Sequence, residues 1–140
     1  MSSGFSRVGA GRMTELPPGE AVELLASVPL GRIGLSHRAL PVIRPVNHLV
    51  DGAHIVIRAH AGSALLRDPL VPEVVVFEAD HIDLQLRTGW SVMVTGRASQ
   101  VTDPLEVARY QRLLVPWSDM DMDQVVRISM EIVTGYRIGP

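Results

Sequence analysis

Asn47 and Arg58 are the side chains best placed to hold a ligand. They stand on the two arms of a run, PVIRPVNHLVDGAHIVIRA, that reverses at Asp51-Gly52. Asp-Gly is a favoured pair for a two-residue hairpin turn, because a type I′ turn needs positive φ at both central residues. With Asp51 and Gly52 as the turn, Val50 faces Ala53, Asn47 faces Val56 and Pro45 faces Arg58. One face then carries Val46, Val50, Ile55 and Ile57 toward a core. Arg44 and His48 share its parity and need an edge or a partner. The other face carries Pro45, Asn47, His54 and Arg58. A flat ring lying on it would meet an amide and a guanidinium two rungs apart, and Arg grips phosphate through two parallel hydrogen bonds. Beyond it, Gly62-Ser63-Ala64-Leu65-Leu66-Arg67 reads as a short helix stopped by Pro69, with free N–H groups at its start as an anion-binding end.

Other constellations carry less. His37, His48, His54, His60 and His81 include no pair at metalloprotease spacing, and the hairpin puts His48 and His54 on opposite faces. Ser118-Asp119-Met120-Asp121-Met122-Asp123 alternates acids as a calcium loop does, but lacks the central glycine and distal glutamate. It reads instead as the lead into a helix at 123–126. GAGR near the N-terminus follows no strand and fails as a nucleotide fingerprint. Singly, Arg58 reads as a solvated strand residue, Ser63 as a helix cap and Asn47 as a loop-proximal hydrogen bonder. Their shared face is what makes a site.

The elements that must position these residues follow from patterning. A chain of 140 residues, 46% apolar and 20% charged, fits one globular domain. A net charge of −2 gives no field that would draw nucleic acid or anionic lipid. The absence of cysteine excludes a disulfide framework, a thiolate nucleophile and sulfur-ligated zinc, and suits a reducing cytoplasm. No apolar run reaches membrane-helix length, and no signal peptide is read. Residues 1–12 read as a flexible tail, with Met13 an alternative start, leaving 13–140 as the domain.

Within that domain, Pro17-Pro18-Gly19-Glu20 opens an amphipathic helix ending near Ser27. GRIGLS (31–36) alternates as a strand, followed by a loop at His37 and Arg38. EVVVFEAD (73–80) reads as a strand buried on both sides, and GWSVMVTGRASQV (89–101) as a longer strand with a bulge or bend at Gly96. Asp103-Pro104-Leu105-Glu106 caps a helix carrying Val107 and Tyr110. RISMEIVTGYRIG (127–139) alternates as a closing strand. About six strands with short helices make a mainly β chain that must close or cover its edges, as a barrel does.

GRIGL, PVIRPVN with its Asp-Gly turn, IRAHAGSALL, GWSVMVTGRA and VTGYRI, in that order over residues 31–138, resemble the FMN-binding split-barrel proteins of the pyridoxamine 5'-phosphate oxidase-like family. The resemblance implies a split β-barrel and a homodimer with flavin mononucleotide in a groove at the subunit interface. It implies ring contacts from Pro45, Val46 and Asn47, and phosphate contacts along Arg58, Ala59, Gly62 and Ser63. Trp90, or less favourably Trp117, would cover the ring from the partner subunit. Many relatives carry a cation after the Gly-Ser pair; here Ala64 stands there, and Arg67 would substitute by reaching back. The basic, histidine-containing C-terminal segment of true pyridoxamine-phosphate oxidases is missing, which argues against that activity. The implied function is a flavin-dependent oxidoreductase acting on a small molecule, with no protein acid or base assigned. A deazaflavin is the alternative cofactor, and a non-catalytic cofactor-binding or ligand-sensing barrel the alternative class.

Overall fold

The computed structural model describes residues 12–68, 70–117 and 121–139. Apart from Arg12, the expected N-terminal tail lies outside them. In chain order the elements are β1 (Arg12–Glu15), α1 (Pro18–Ala26), β2 (Leu30–His37), β3 (Leu40–Asn47), β4 (Leu49–Asp51), β5 (His54–Ala59), a 3₁₀ turn (Ala64–Leu66), β6 (Glu73–Asp83), β7 (Thr88–Gln100), α2 (Pro104–Leu113), β8 (Gln124–Ser129) and β9 (Ile132–Gly139). The strands form one curled antiparallel sheet in the order β3-β2-β6-β7-β8-β5-β4, with β9 also on β7 and β1 on β9. This is the split barrel expected from the sequence.

Among the described residues nine strands stand where six were read, because two long runs divide and β1 was unread. The run 41–50 breaks at His48: β3 pairs with β2, whereas β4 pairs with β5. Its hairpin also turns later than the Asp-Gly pair implied. Asp51 faces His54 and Leu49 faces Val56, so Gly52-Ala53 form the loop. Gly52 takes φ 59° while Ala53 keeps a negative φ, which excludes type I′ and fits a type II′ turn with glycine first. The shift is two residues along the strand, so every side chain keeps its face. The loop expected at His37 and Arg38 is a two-residue turn at Arg38-Ala39, where both residues take positive φ between β2 and β3.

The run 127–139 divides along one edge of β7. Ala98 faces Ile128 and Thr95 faces Ile132, so Gly96 and Arg97 oppose three residues, Ser129, Met130 and Glu131. The extra residue is a bulge across from Gly96 rather than at it. A Cβ on Gly96 would sit 1.6 Å from the Ser129 carbonyl oxygen, so only glycine admits this approach. The bulge lets β8 leave toward β5 while β9 runs on beside β1. The helix read at 123–126 is absent, since β8 already begins at Gln124. Adjacent Val125 and Val126 are both buried, as in a strand covered on both faces, with Val126 against the barrel and Val125 under α2.

The barrel interior holds Phe77, Ile55, Ile57, Val92, Val94 and Ile128, and α1 closes one end with Ala21 and Leu25. On β6 only Val75, Phe77 and Ala79 are buried, and Val74 is exposed. The strand read as doubly buried therefore has one wet face. A second cluster, Val56, Val101, Tyr110, Leu114 and Val125, packs α2 over the outer face of β5 and β8.

Candidate functional site

The strand parity read from the sequence survives. Val46 and Val50 pack against the interior. Arg44 lies exposed on the edge strand, and His48 is buried with Nε2 at 2.9 Å from the Leu25 carbonyl. Its ring meets Phe77 edge-on with centroids 4.8 Å apart, and its backbone N–H donates to the Pro29 carbonyl. His48 thus fastens the corner after Asn47 to α1. Burial holds the imidazole below its ordinary pKa, against the raising effect of the Leu25 carbonyl.

With His48 facing inward, Asn47 faces outward, and so does Arg58. Both reach the connection between α2 and β8. Asn47 Nδ2 donates to the Val115 carbonyl at 2.8 Å. Arg58 donates from Nη1 to the neighbouring Leu114 carbonyl at 3.2 Å and from Nε to the Met122 carbonyl at 2.7 Å. The amide and the guanidinium therefore converge, as the hairpin face implied, and their meeting point is protein backbone.

The helix that delivers this connection is anchored at the hairpin tip. Asp103 caps α2 by accepting from Leu105 N–H, and the helix then brings Arg109 and Tyr110 to Asp51. Tyr110 Oη donates to Asp51 Oδ2 at 2.6 Å and Arg109 Nη1 to the same oxygen at 3.0 Å. The tyrosine hydrogen bond first, and then Arg109, hold the Asp51 carboxyl below its usual range. Burial and then the Asp51 carboxylate push the Tyr110 phenol up. The Arg109 guanidinium also lies 5.0 Å from the Tyr110 ring centre. Sequence reading missed this clamp, because Asp51 looked like a turn residue and its partners lie nearly 60 positions downstream.

The remaining expected site residues fall in different places. Pro45 is exposed on the outer face. Val46 and Ala59 point inward, which leaves their backbones for any outside contact. The segment 62–67 is one 3₁₀ turn rather than a helix, and its donors are largely used within the turn. Gly62 N–H donates to His60 Nδ1, Ser63 N–H to the His60 carbonyl, and Leu65 N–H to Ser63 Oγ. The open anion-binding end read from the sequence is thus mostly closed, because the chain folds back on His60. Arg67 turns to Glu73 at 2.6 Å instead of back over Ser63. Trp90 is 7% exposed inside the core, whereas Trp117, on the α2–β8 connection, is 66% exposed. An indole enclosed in the barrel cannot stack on a group outside it; Trp117 can.

On the outer face Pro45 is exposed and Asn47 half-buried, and Arg58, also half-buried, lies beneath the connection. Of the five guanidinium N–H groups of Arg58, the two hydrogen bonds above use two, and three are left for an anion. Asn47 keeps its side-chain oxygen and one N–H. Among the described residues no group of three or more His, Cys, Asp and Glu could hold a metal ion.

Residues 17–137 match the family model described as pyridoxamine 5'-phosphate oxidase. A Mycobacterium tuberculosis protein described as uncharacterized protein Rv0080 is 50% identical over 145 residues, covering 99% of this chain and 95% of that one. A Corynebacterium glutamicum structure named after pyridoxamine 5'-phosphate oxidase superposes with a TM-score of 0.79 at 33% identity, covering 92% of this chain and 100% of that one. The FAD-binding protein of Mycobacterium smegmatis does so with a TM-score of 0.72 at 32% identity, covering 91% and 98%. With the same barrel, the same motif order and these matches over nearly its whole length, the chain belongs to the pyridoxamine 5'-phosphate oxidase-like family.

Proposed function

We propose that this protein binds a flavin on the outer face beside Asn47 and Arg58 and acts as a flavin-dependent oxidoreductase on a small molecule, as a homodimer. The observation that carries the reading is the convergence of these two side chains on one spot of the outer face. The family, with an FAD-binding relative at 32% identity, supplies the chemical class. In this reading Asn47, with the Pro45 and Val46 backbone, holds the ring, and the three spare N–H groups of Arg58 hold phosphate together with the Ser63 hydroxyl. Bound flavin supplies hydride or electron transfer. The chain supplies orientation, charge and exclusion of water, and no residue is given an acid or base role. Trp117 replaces Trp90 as the aromatic available for stacking. The working unit is residues 13–140, in the cytoplasm.

Flavin mononucleotide is the form inferred from the motif order. FAD, which adds an adenylate, is favoured instead by the name of the Mycobacterium smegmatis relative, and a deazaflavin stays compatible with the missing cation at Ala64. A second reading, a barrel that binds its ligand without turnover or holds none, is favoured by the internal bonding of Gly62, Ser63 and Leu65. The visible spectrum of the purified protein separates these readings. Oxidised flavin makes it yellow, chromatography of the released chromophore distinguishes FMN, FAD and deazaflavin, and bleaching by a nicotinamide donor marks an enzyme. A colourless protein that takes up neither added FMN nor added FAD sinks the proposal.

A further inference from the structure

Far from α1, the barrel carries a pocket of about 200 Å³ that neither Asn47 nor Arg58 lines. Ala21 of α1 packs on Gly135, which pairs with Val92 of β7. The pocket lies from Ala98 onward on the same strand, about 20 Å further along it at ~3.4 Å per residue. Leu65, Leu66 and Pro72, from the 3₁₀ turn and the connection before β6, give it an apolar lining. On β7 the lining is an open sheet edge. Glu73, the first residue of β6, faces Ala98, so past Ala98 no described residue of β6 lies beside β7. The opposite edge stays with β8, where Val101 N–H donates to the Val125 carbonyl. Neighbouring residues of a strand turn their N–H and C=O to opposite edges, so those of Gln100 face the open one. Such an edge is a template for another extended backbone.

We propose that this pocket binds a small α-amino amide with an apolar side chain, the chemistry of a peptide's first residue. Charge selects the amine. Asp68 is the ionisable group among the described lining residues. Its Oδ1 accepts from Leu70 N–H at 2.9 Å, and Oδ2 takes no bond from a described residue, which leaves it for an ammonium. Arg67, next in the chain, is already paired with Glu73 at 2.6 Å, so the pocket offers an anion no free cation there. The open edge selects the amide, because the Gln100 N–H and C=O match the C=O and N–H of an amide group as a paired strand would. Leu65, Leu66 and Pro72 select the apolar side chain. Size limits the ligand: the volume is below the ~300 Å³ at which drug-sized pockets begin, and barrel mouths are a common place for such sites. The proposal does not depend on flavin binding.

Calorimetric titration of the native protein with leucinamide tests the assignment, with binding expected at a Kd of about 1 mM or tighter. Glycinamide lacks the apolar side chain and N-acetyl-leucinamide lacks the charge, so each is expected to bind about 10-fold more weakly. Asp68→Asn keeps an acceptor for Leu70 N–H and should weaken leucinamide about 10-fold. Asp121→Asn, at an exposed acid outside the lining, should leave binding unchanged, and circular dichroism confirms that both variants fold. Leucyl-glycinamide distinguishes the two sources of the same group: binding as tight as leucinamide upholds the site as one for a peptide end, and weaker binding upholds it as one for a free amide. Leucinamide that fails to bind at about 10 mM overturns the proposal. So do equal affinities for leucinamide and either analogue, or an Asp68→Asn protein that binds as the native one does.

Discussion

Arg58 holds the α2–β8 connection in place before any ligand arrives, so its removal should destabilise the ligand-free protein. Arg58→Ala removes a hydrogen bond of 2.7 Å to the Met122 carbonyl and a longer one of 3.2 Å to the Leu114 carbonyl. Bonds to charged donors contribute about 1.5–3 kcal/mol each when buried. The second is long and the connection is partly wet, so freed carbonyls regain water, and the expected loss is about 2 kcal/mol. Arg58→Lys restores one donor at most and should recover about half of that, because an ammonium lacks the planar fork that reaches both oxygens. Asn47→Ala loses one neutral bond of 2.8 Å, about 1 kcal/mol. The two side chains hold adjacent carbonyls, so the double variant should deviate from additivity by more than about 0.5 kcal/mol. Urea unfolding of ligand-free protein gives each value, and proteolysis between residues 114 and 122 should quicken in parallel. Arg58→Ala with unchanged stability, within about 0.5 kcal/mol, would refute the fastening role. The phosphate role has its own readout: Arg58→Ala and Arg58→Lys should each weaken FMN more than riboflavin, and equal losses would leave Arg58 a fastener alone.

Two further expectations come from single sites. His48 is buried with its folded-state pKa lowered, so the unfolded chain takes up a proton that the fold refuses. Stability from this group is therefore complete above about pH 6.5 and falls as pH drops below it toward the lowered folded value. His48→Phe should remove that slope in unfolding curves between pH 7 and 5, and a slope that persists in the variant assigns it elsewhere. Gly96→Ala would drive a methyl into the Ser129 carbonyl oxygen, at a cost of about 3 kcal/mol or more, and a urea midpoint equal to wild type would show that the bulge gives way freely.

Much of the fold was legible because its rules are local. The starts of both helices are set by residues within a turn of one another: Pro18 as the first residue of α1, and Asp103 with Pro104 at α2. Period-two alternation put Val46, His48, Ile55 and Ile57 on one face and Asn47 and Arg58 on the other, and an error of two residues in the hairpin register could not change that. The breaks at His48 and at Met130-Glu131 were not legible, because each run looks continuous until a different strand pairs with either part. Buried β8 was mistaken for a helix start for a similar reason: a short apolar run covered on both sides lacks alternation.

The sequence by itself determined which residues turn outward, where helices begin and which family's motif order the chain carries, since these follow from near-neighbour sterics and side-chain type. Tertiary structure alone decided what the outward residues meet. Asn47 and Arg58 find carbonyls 56 to 68 positions away, Arg67 finds Glu73 instead of Ser63, and of the two indoles one is sealed in the core and the other left in water. Such contacts depend on how the sheet curls and where α2 settles, which is the joint result of the whole core packing and is written in no single stretch of chain.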